Sequence, residues 1–255
     1  MFFQEAVLNW QWFHRLGSPR WFYDKTSRWM PWILSGTLLL LIVGTVWGLG
    51  FAPTDSKQGN SYRIIYIHVP VALLALAGYY VMAIAGAVGL IWQMKLSYLV
   101  MRAAAPIGAV LTFLALLTGA FWGKPTWGTW WVWDARITSM LILLFLYLGI
   151  IALQGAYQRQ QTAHKACAIL ALVGTINIPI IYKSVDWWFT LHQPATLKLI
   201  GPSSIDPSMA YPLLIMIAGF YGLYSWLLMH WTRSSILETE SKTRWVQEIV
   251  AKKAS

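Results

Sequence analysis

The sequence is poor in cysteine, in charged residues and in nucleotide-binding motifs. Its single cysteine, Cys167, lies in an apolar run, so an internal disulfide is excluded and we expect a buried structural thiol. Only 11% of the 255 residues are charged, and nine of them are Asp or Glu. Neither a G-x-x-x-x-G-K-[ST] loop nor a G-x-G-x-x-G motif occurs. If ATP is involved, we therefore expect a partner subunit to hydrolyse it.

Hydrophobic residues make up 58% of the chain, and its mean hydropathy is +0.54, which is typical of a membrane protein. Six apolar runs are each near the ~20 residues that cross a bilayer. We predict an all-α integral membrane protein with six transmembrane helices. The spans are predicted at about Pro31–Phe51, Pro70–Met94, Ala103–Trp122, Ile137–Tyr157, Ala166–Tyr182 and Met209–Trp231. Residues 30–231 then form the membrane domain, between a cytoplasmic amphipathic segment (1–29) and a cytoplasmic tail (232–255).

The net charge of +10 indicates membrane topology rather than nucleic-acid binding. Thirteen Lys and Arg residues fall on the side of the two termini, and six fall on the other side. The positive-inside rule therefore predicts cytoplasmic termini and outer loops at 52–69, 122–136 and 183–208. No acidic residue lies in the middle of a predicted span, which argues against a proton pump or an ion-coupled transporter.

The second outer loop, residues 122–139, is unusually rich in tryptophan. It contains, in order, Trp122, Trp127, Trp130, Trp131 and Trp133, followed by Asp134 and Arg136. If the stretch is helical, one face carries Trp127, Trp130, Trp131 and Asp134. A flat aromatic surface edged with charge suits a large planar ligand that carries charges itself. The alternative is a belt of indoles at the membrane surface.

Two histidines fall in the other outer loops. His68 lies in the first and His192 in the third, and each precedes a proline by two residues. Each alone is compatible with a helix cap or an interface residue. As a pair beside an indole surface they suggest a haem with both axial positions filled by imidazole. Arg63 and Arg136 are candidates for contact with the propionates, and the alternative for Arg136 is an ion pair with Asp134.

The stretch from Trp127 to Arg136, preceded by Trp122-Gly-Lys-Pro125, resembles the WWD signature of haem-handling proteins that mature c-type cytochromes. Length and six spans make the chain most similar to the CcmC group of this family. One departure is Ile137, where the family usually has Leu. The resemblance implies that His68 and His192 ligate the iron of haem b at the periplasmic face of a bacterial inner membrane. It also implies presentation of haem to the chaperone CcmE, together with CcmD and the transporter-like pair CcmA and CcmB.

The function expected from the resemblance is haem binding and delivery rather than enzymatic catalysis. A haem lyase of the same family is one alternative, although such proteins usually have more spans. A b-type cytochrome that passes electrons to quinone is another, but its histidines normally lie near mid-bilayer, whereas His68 and His192 lie at span ends. A structural subunit whose tryptophans only anchor loops is the third.

Overall fold

The computed structural model describes residues 15–193 and 203–254, and within these ranges the chain is helical, without strands. The α-helices are α1 Pro19–Thr45, α2 Ile65–Trp92, α3 Lys95–Trp127, α4 Ala135–Ala156, α5 Gln160–Gly174, α6 Asn177–Trp187, α7 Pro207–Thr239 and α8 Arg244–Ala254. A π-helical turn, Val46–Phe51, extends α1, and a 3₁₀ turn, Asn60–Ile64, precedes α2. Of the amphipathic segment predicted for residues 1–29, residues 1–14 lie outside the described residues.

Six helical segments are long and apolar enough to cross a membrane, which confirms the predicted fold class. They are Pro19–Phe51, Asn60–Trp92, Lys95–Trp127, Ala135–Ala156, Gln160–Trp187 and Pro207–Thr239. Most of these helices extend beyond the predicted spans, because a helix continues past the hydrocarbon wherever its ends find partners. One consequence corrects the prediction for His68, which lies inside the second helical segment and not in a loop.

The fifth segment is broken near its middle. α5 ends at Gly174 and α6 begins at Asn177, just before Pro179, in agreement with the bend that Asn177 and Pro179 predict. The Asn177 side-chain amide donates to the Ser139 carbonyl at 2.9 Å, which ties α6 to the start of α4. The connection that follows α6 therefore begins close to the connection that precedes α4.

Helices α2 to α5 form the centre of the bundle, and α7 packs on α2 and α3 with α1 on its outer side. Because successive segments alternate in direction, the connections after Phe51, Trp127 and Trp187 lie at one end, here called the site end. At the opposite end, ion pairs between Lys95 and Glu240 at 2.9 Å and between Arg102 and Glu238 at 3.1 Å tie α3 to the C-terminal part of the chain.

Tyr147 joins three central helices. It is fully buried on α4, its hydroxyl donates to the Ala75 carbonyl on α2 at 2.9 Å, and its ring packs edge-on against Tyr79 with centroids 5.0 Å apart. The ring also covers Gly108 of α3, where any Cβ atom would overlap the Tyr147 ring. Glycine is therefore required at position 108 for this packing.

Replacing Gly108 by Ala is expected to destabilise the bundle by about 1–3 kcal/mol, because a rigid buried ring has to move. The measurement is the thermal unfolding midpoint of the purified protein in detergent. Gly36→Ala is the matched control, since a Cβ at position 36 has no neighbour within 4 Å. Equal midpoints for the two variants would contradict the packing role of Gly108.

Candidate functional site

A cavity opens at the site end among α2, α3, α4 and α6. About 580 Å³ of space lies between its walls and in its open mouth. Most of its lining is apolar, and its polar groups come from two imidazoles, one guanidinium and two indoles. The lining residues are His68, Ala72, Leu76, Ala115, Leu116, Gly119, Ala120, Trp130, Trp131, Arg136, Ile137, Met140, Ile181 and His192. The two predicted ligands thus lie on one cavity.

The His68 ring is fixed by α3. Its Nδ1 lies 3.0 Å from the Thr118 hydroxyl, and that hydroxyl donates its only hydrogen to the Leu114 carbonyl at 2.7 Å. The hydrogen-bond network therefore assigns the proton of His68 to Nδ1, which donates to Thr118, and leaves Nε2 with a free lone pair. Gly119 allows the ring to approach α3, because a Cβ there would lie 3.2 Å from Cε1 of His68.

The His192 ring is fixed by a carboxylate. Its Nδ1 lies 3.1 Å from Oδ2 of Asp134, and the two side chains are only 19% and 5% exposed. Thr190 donates its hydroxyl hydrogen to the same carboxylate oxygen and accepts the backbone N–H of His192 at 3.1 Å. Nδ1–H of His192 donates to the carboxylate, so Nε2 is again available as a ligand. This is the usual carboxylate–histidine arrangement behind a metal-ligating imidazole.

Asp134 has a second contact through its other oxygen. Oδ1 accepts the backbone N–H of Ile137 at 2.8 Å and caps the first turn of α4. Burial alone would raise the pKa of the Asp134 carboxyl, but the hydrogen bonds from Ile137, Thr190 and His192 outweigh it, and the pKa lies below its usual value. Asp134 is therefore ionised at neutral pH and accepts through both oxygens.

Burial lowers the pKa of His192, and the nearby Arg136 lowers it further, against the opposing effect of the Asp134 carboxylate. The imidazole is therefore neutral at neutral pH. A neutral imidazole with a free Nε2 is the form that binds a metal ion.

The tryptophan-rich stretch is not one continuous helix, because residues 128–134 are irregular, which corrects the idea of a single indole face. α3 ends at Trp127 because Gly128 adopts φ = 79°, and the chain is irregular until Asp134 caps α4. The helical i, i+3, i+4 spacing therefore does not apply to Trp130 and Trp131, although both still line the cavity.

The five tryptophans have different surroundings. Trp122 packs edge-on against His68, with ring centroids 5.6 Å apart, and Trp127 packs edge-on against His192 at 4.7 Å. Trp130 and Trp131 line the cavity, whereas Trp133 is 74% exposed and does not. Each histidine therefore has one indole at its side, and Trp133 is exposed next to the cavity lining.

Two donors in the cavity wall lack acceptors. The Trp131 indole N–H is buried and has no hydrogen-bond partner among the residues that the structure describes. The Arg136 guanidinium lines the cavity and makes no ion pair within residues 15–193 and 203–254, so the predicted alternative of a pair with Asp134 is not formed. Both groups suit a ligand that carries anionic oxygen atoms.

Arg63 has a structural position instead. Its guanidinium donates to the carbonyls of Gly48 at 2.9 Å and Ala52 at 2.8 Å, which closes the π-helical end of α1. It is not among the residues that line the cavity. The contact between Arg63 and a propionate stays a prediction, and in this structure the Arg63 guanidinium is bonded to the end of α1.

Comparison with known proteins shows the family of the chain. The family model "CcmC: Heme exporter protein C" matches residues 12–247. The chain belongs to the CcmC family. It is 49% identical to the Heme exporter protein C of Escherichia coli strain K12 over 96% of this chain and 98% of that protein. The corresponding protein of Haemophilus influenzae is 48% identical over 94% and 98% of the two chains, and that of Bradyrhizobium diazoefficiens is 47% identical over 87% and 84%.

Three residues of this CcmC-family site were not found by sequence reasoning: Thr118, Gly119 and Thr190. Each contacts a histidine or its carboxylate partner. Thr118 lies 50 positions from His68, and no local pattern connects the two. Thr190 lies two positions before His192, a spacing at which a threonine hydroxyl can accept a backbone N–H. This spacing was the sequence signal that could have identified Thr190.

Proposed function

We propose that this chain binds haem b at the periplasmic face of the bacterial inner membrane and presents it to the haem chaperone CcmE during c-type cytochrome biogenesis. In this proposal the chain works with CcmD, CcmA and CcmB, and ATP is hydrolysed in a partner subunit. The observation that carries the proposal is that His68 and His192, each with Nε2 free, line one cavity. The name of these relatives, Heme exporter protein C, supports haem as the cargo.

The cavity has residues suited to the iron, to the porphyrin and to the propionates of haem. Nε2 of His68 and of His192 would hold the iron from two sides. The apolar wall that includes Ala72, Leu76 and Leu116 excludes water from the porphyrin. Arg136 and the Trp131 indole N–H would meet propionate oxygens. With both axial positions filled, the bound iron has no open position for oxygen, so the chain holds and orients its cargo.

Exposed aromatic residues at the site end would receive the partner. Trp133 is 74% exposed and packs against Trp131 with centroids 5.4 Å apart, so a partner on Trp133 would lie beside the cavity. Phe189 of the third connection is 93% exposed. Exposed aromatic side chains are enriched in the binding hot spots of protein interfaces.

The test of the function is to purify the chain from cells that make it with and without the chaperone. Without the chaperone we expect the absorption spectrum of low-spin haem with two imidazole ligands. With the chaperone we expect haem to appear on that partner. Absence of haem from the purified chain would contradict the proposal, and rapid oxidation and reduction with quinol would favour a b-type cytochrome.

Trp133→Ala is expected to keep haem in the purified chain and to lower haem delivery to the chaperone at least about fivefold, the effect of losing ~1 kcal/mol of interface energy. The measurement is the haem-loaded chaperone formed per haem-loaded chain. Trp32→Ala is the control, because Trp32 is 75% exposed on α1 and outside the site. A normal delivery by Trp133→Ala would show that Trp133 is not a partner contact.

A further inference from the structure

The two imidazoles of the cavity are supported by groups of different charge. Nδ1–H of His192 donates to a carboxylate, Asp134, at 3.1 Å, whereas Nδ1–H of His68 donates to a neutral hydroxyl, Thr118, at 3.0 Å. A carboxylate partner draws the Nδ1 proton towards itself and makes Nε2 a stronger electron donor to a metal. A hydroxyl does this much less, because its oxygen carries no full charge and already donates to Leu114.

Both supports are themselves held in place. Asp134 is held by the α4 cap at 2.8 Å and by Thr190. The Thr118 hydroxyl contacts the carbonyls of Leu114 at 2.7 Å and Ala115 at 3.3 Å. The two ligands therefore differ in the charge of the support, which is a carboxylate for His192 and a neutral hydroxyl for His68.

We propose that Asp134 and Thr118 are positioning residues that make the two iron ligands unequal, so that His192 retains the haem while His68 is the ligand that leaves first. This rests on the proposed function. In the exchange, the bond between the iron and Nε2 of His68 would break, the electron pair would stay with His68, and a donor atom of the partner would take the position. No electron is transferred and no proton has to move.

The inequality is tested with single-ligand variants that are purified with haem. His68→Ala leaves His192, the ligand supported by a carboxylate. We expect it to retain at least about tenfold more haem than His192→Ala, because loss of a group that supports a metal ligand typically lowers metal affinity by at least about tenfold. If the two variants retain equal amounts of haem, or neither retains any, the two ligands are not unequal and the proposal is overturned. It is also overturned if His192→Ala retains more haem than His68→Ala. Loss of haem from the unmodified chain, by contrast, would contradict the proposed function itself.

Asp134→Asn separates the ligand-supporting role from the helix cap. The amide oxygen of Asn still accepts the Ile137 N–H, but the amide nitrogen offers a donor to Nδ1 of His192 and favours a proton on Nε2, where the iron would bind. We expect a positive shift of the haem reduction potential and a loss of haem in the His68→Ala background. In the His192→Ala background the same substitution should leave haem retention unchanged.

Two control variants exclude a purely structural effect. Asp206 caps α7 through the Ser208 N–H at 2.8 Å, so Asp206→Asn alters a helix cap away from the cavity. Thr126 bonds to the Trp122 carbonyl at 2.7 Å just as Thr118 bonds to Leu114, so Thr126→Val matches Thr118→Val. We expect Thr118→Val to speed carbon monoxide binding to the reduced haem several-fold, with both controls unchanged. Equal potentials and equal rates across all variants would overturn the proposal.

Discussion

Replacing both His68 and His192 by Ala is expected to remove haem from the purified chain. The two imidazoles are the ligands that the cavity offers to an iron atom, and each is held with Nε2 free by its own partner. The remaining wall would retain the porphyrin only through apolar contacts and Arg136. The measurement is the ratio of haem to protein after purification, and we expect it to fall below about one tenth of the unmodified value, given the typical effects of altered metal sites.

The control for this variant is His164→Ala/His230→Ala. Both of these histidines lie at the opposite end of the bundle, where His164 stacks on Tyr98 at 4.6 Å and His230 stacks on Trp226 at 5.1 Å. This double variant removes the same number of imidazoles and also disturbs aromatic packing, yet it leaves the cavity unchanged. An undiminished haem ratio in His68→Ala/His192→Ala would refute the ligand assignment, provided that its unfolding midpoint matches the control.

Hydrophobic runs were sufficient to predict the number and the order of the spans. Each run needs about 20 apolar residues to cross the hydrocarbon, and this requirement is local in sequence. The ends of the helices depend on distant partners instead. Arg63 illustrates this, because it binds the carbonyls at the end of α1 and so joins the first connection to the helix before it.

The second connection was predicted correctly in composition and wrongly in conformation. A helical face for Trp127, Trp130 and Trp131 assumed that the helix continues, but Gly128 takes a positive φ that ends α3. Gly128 was visible in the sequence as a possible helix end. The contact between Trp131 and the cavity arises from an irregular chain path, which no periodicity describes.

The groups behind the histidines were the hardest to predict. Asp134 was identified, but as an edge of the ligand surface, whereas its two oxygens are occupied by the α4 cap, Thr190 and His192. This arrangement joins residues 58 positions apart, and it depends on how the second and third connections meet. The two candidate histidines could be chosen from the sequence, whereas the groups that support them follow from tertiary packing.

Arg136 is expected to recognise the carboxylates of the cargo, and Arg136→Gln should weaken haem binding by roughly 10- to 150-fold, the loss of about 1.5–3 kcal/mol for a hydrogen bond to a charged group. The guanidinium lines the cavity without an ion pair among the described residues. A cation in a largely apolar wall is costly unless an anion compensates it. The measurement is the dissociation constant of haem for the purified, haem-free chain.

Haem whose propionates are esterified tests the contact itself. The unmodified chain is expected to bind the dimethyl ester more weakly than haem, by a factor close to that of Arg136→Gln, because either change removes the same charge pair. Arg136→Gln should bind haem and its ester nearly equally, since the interaction is already lost. Arg136→Lys keeps the charge but not the planar fork of donors, so it should restore part of the discrimination. If Arg136→Gln still discriminates as strongly as the unmodified chain, the propionates are bound elsewhere, and the Trp131 indole N–H becomes the next group to test.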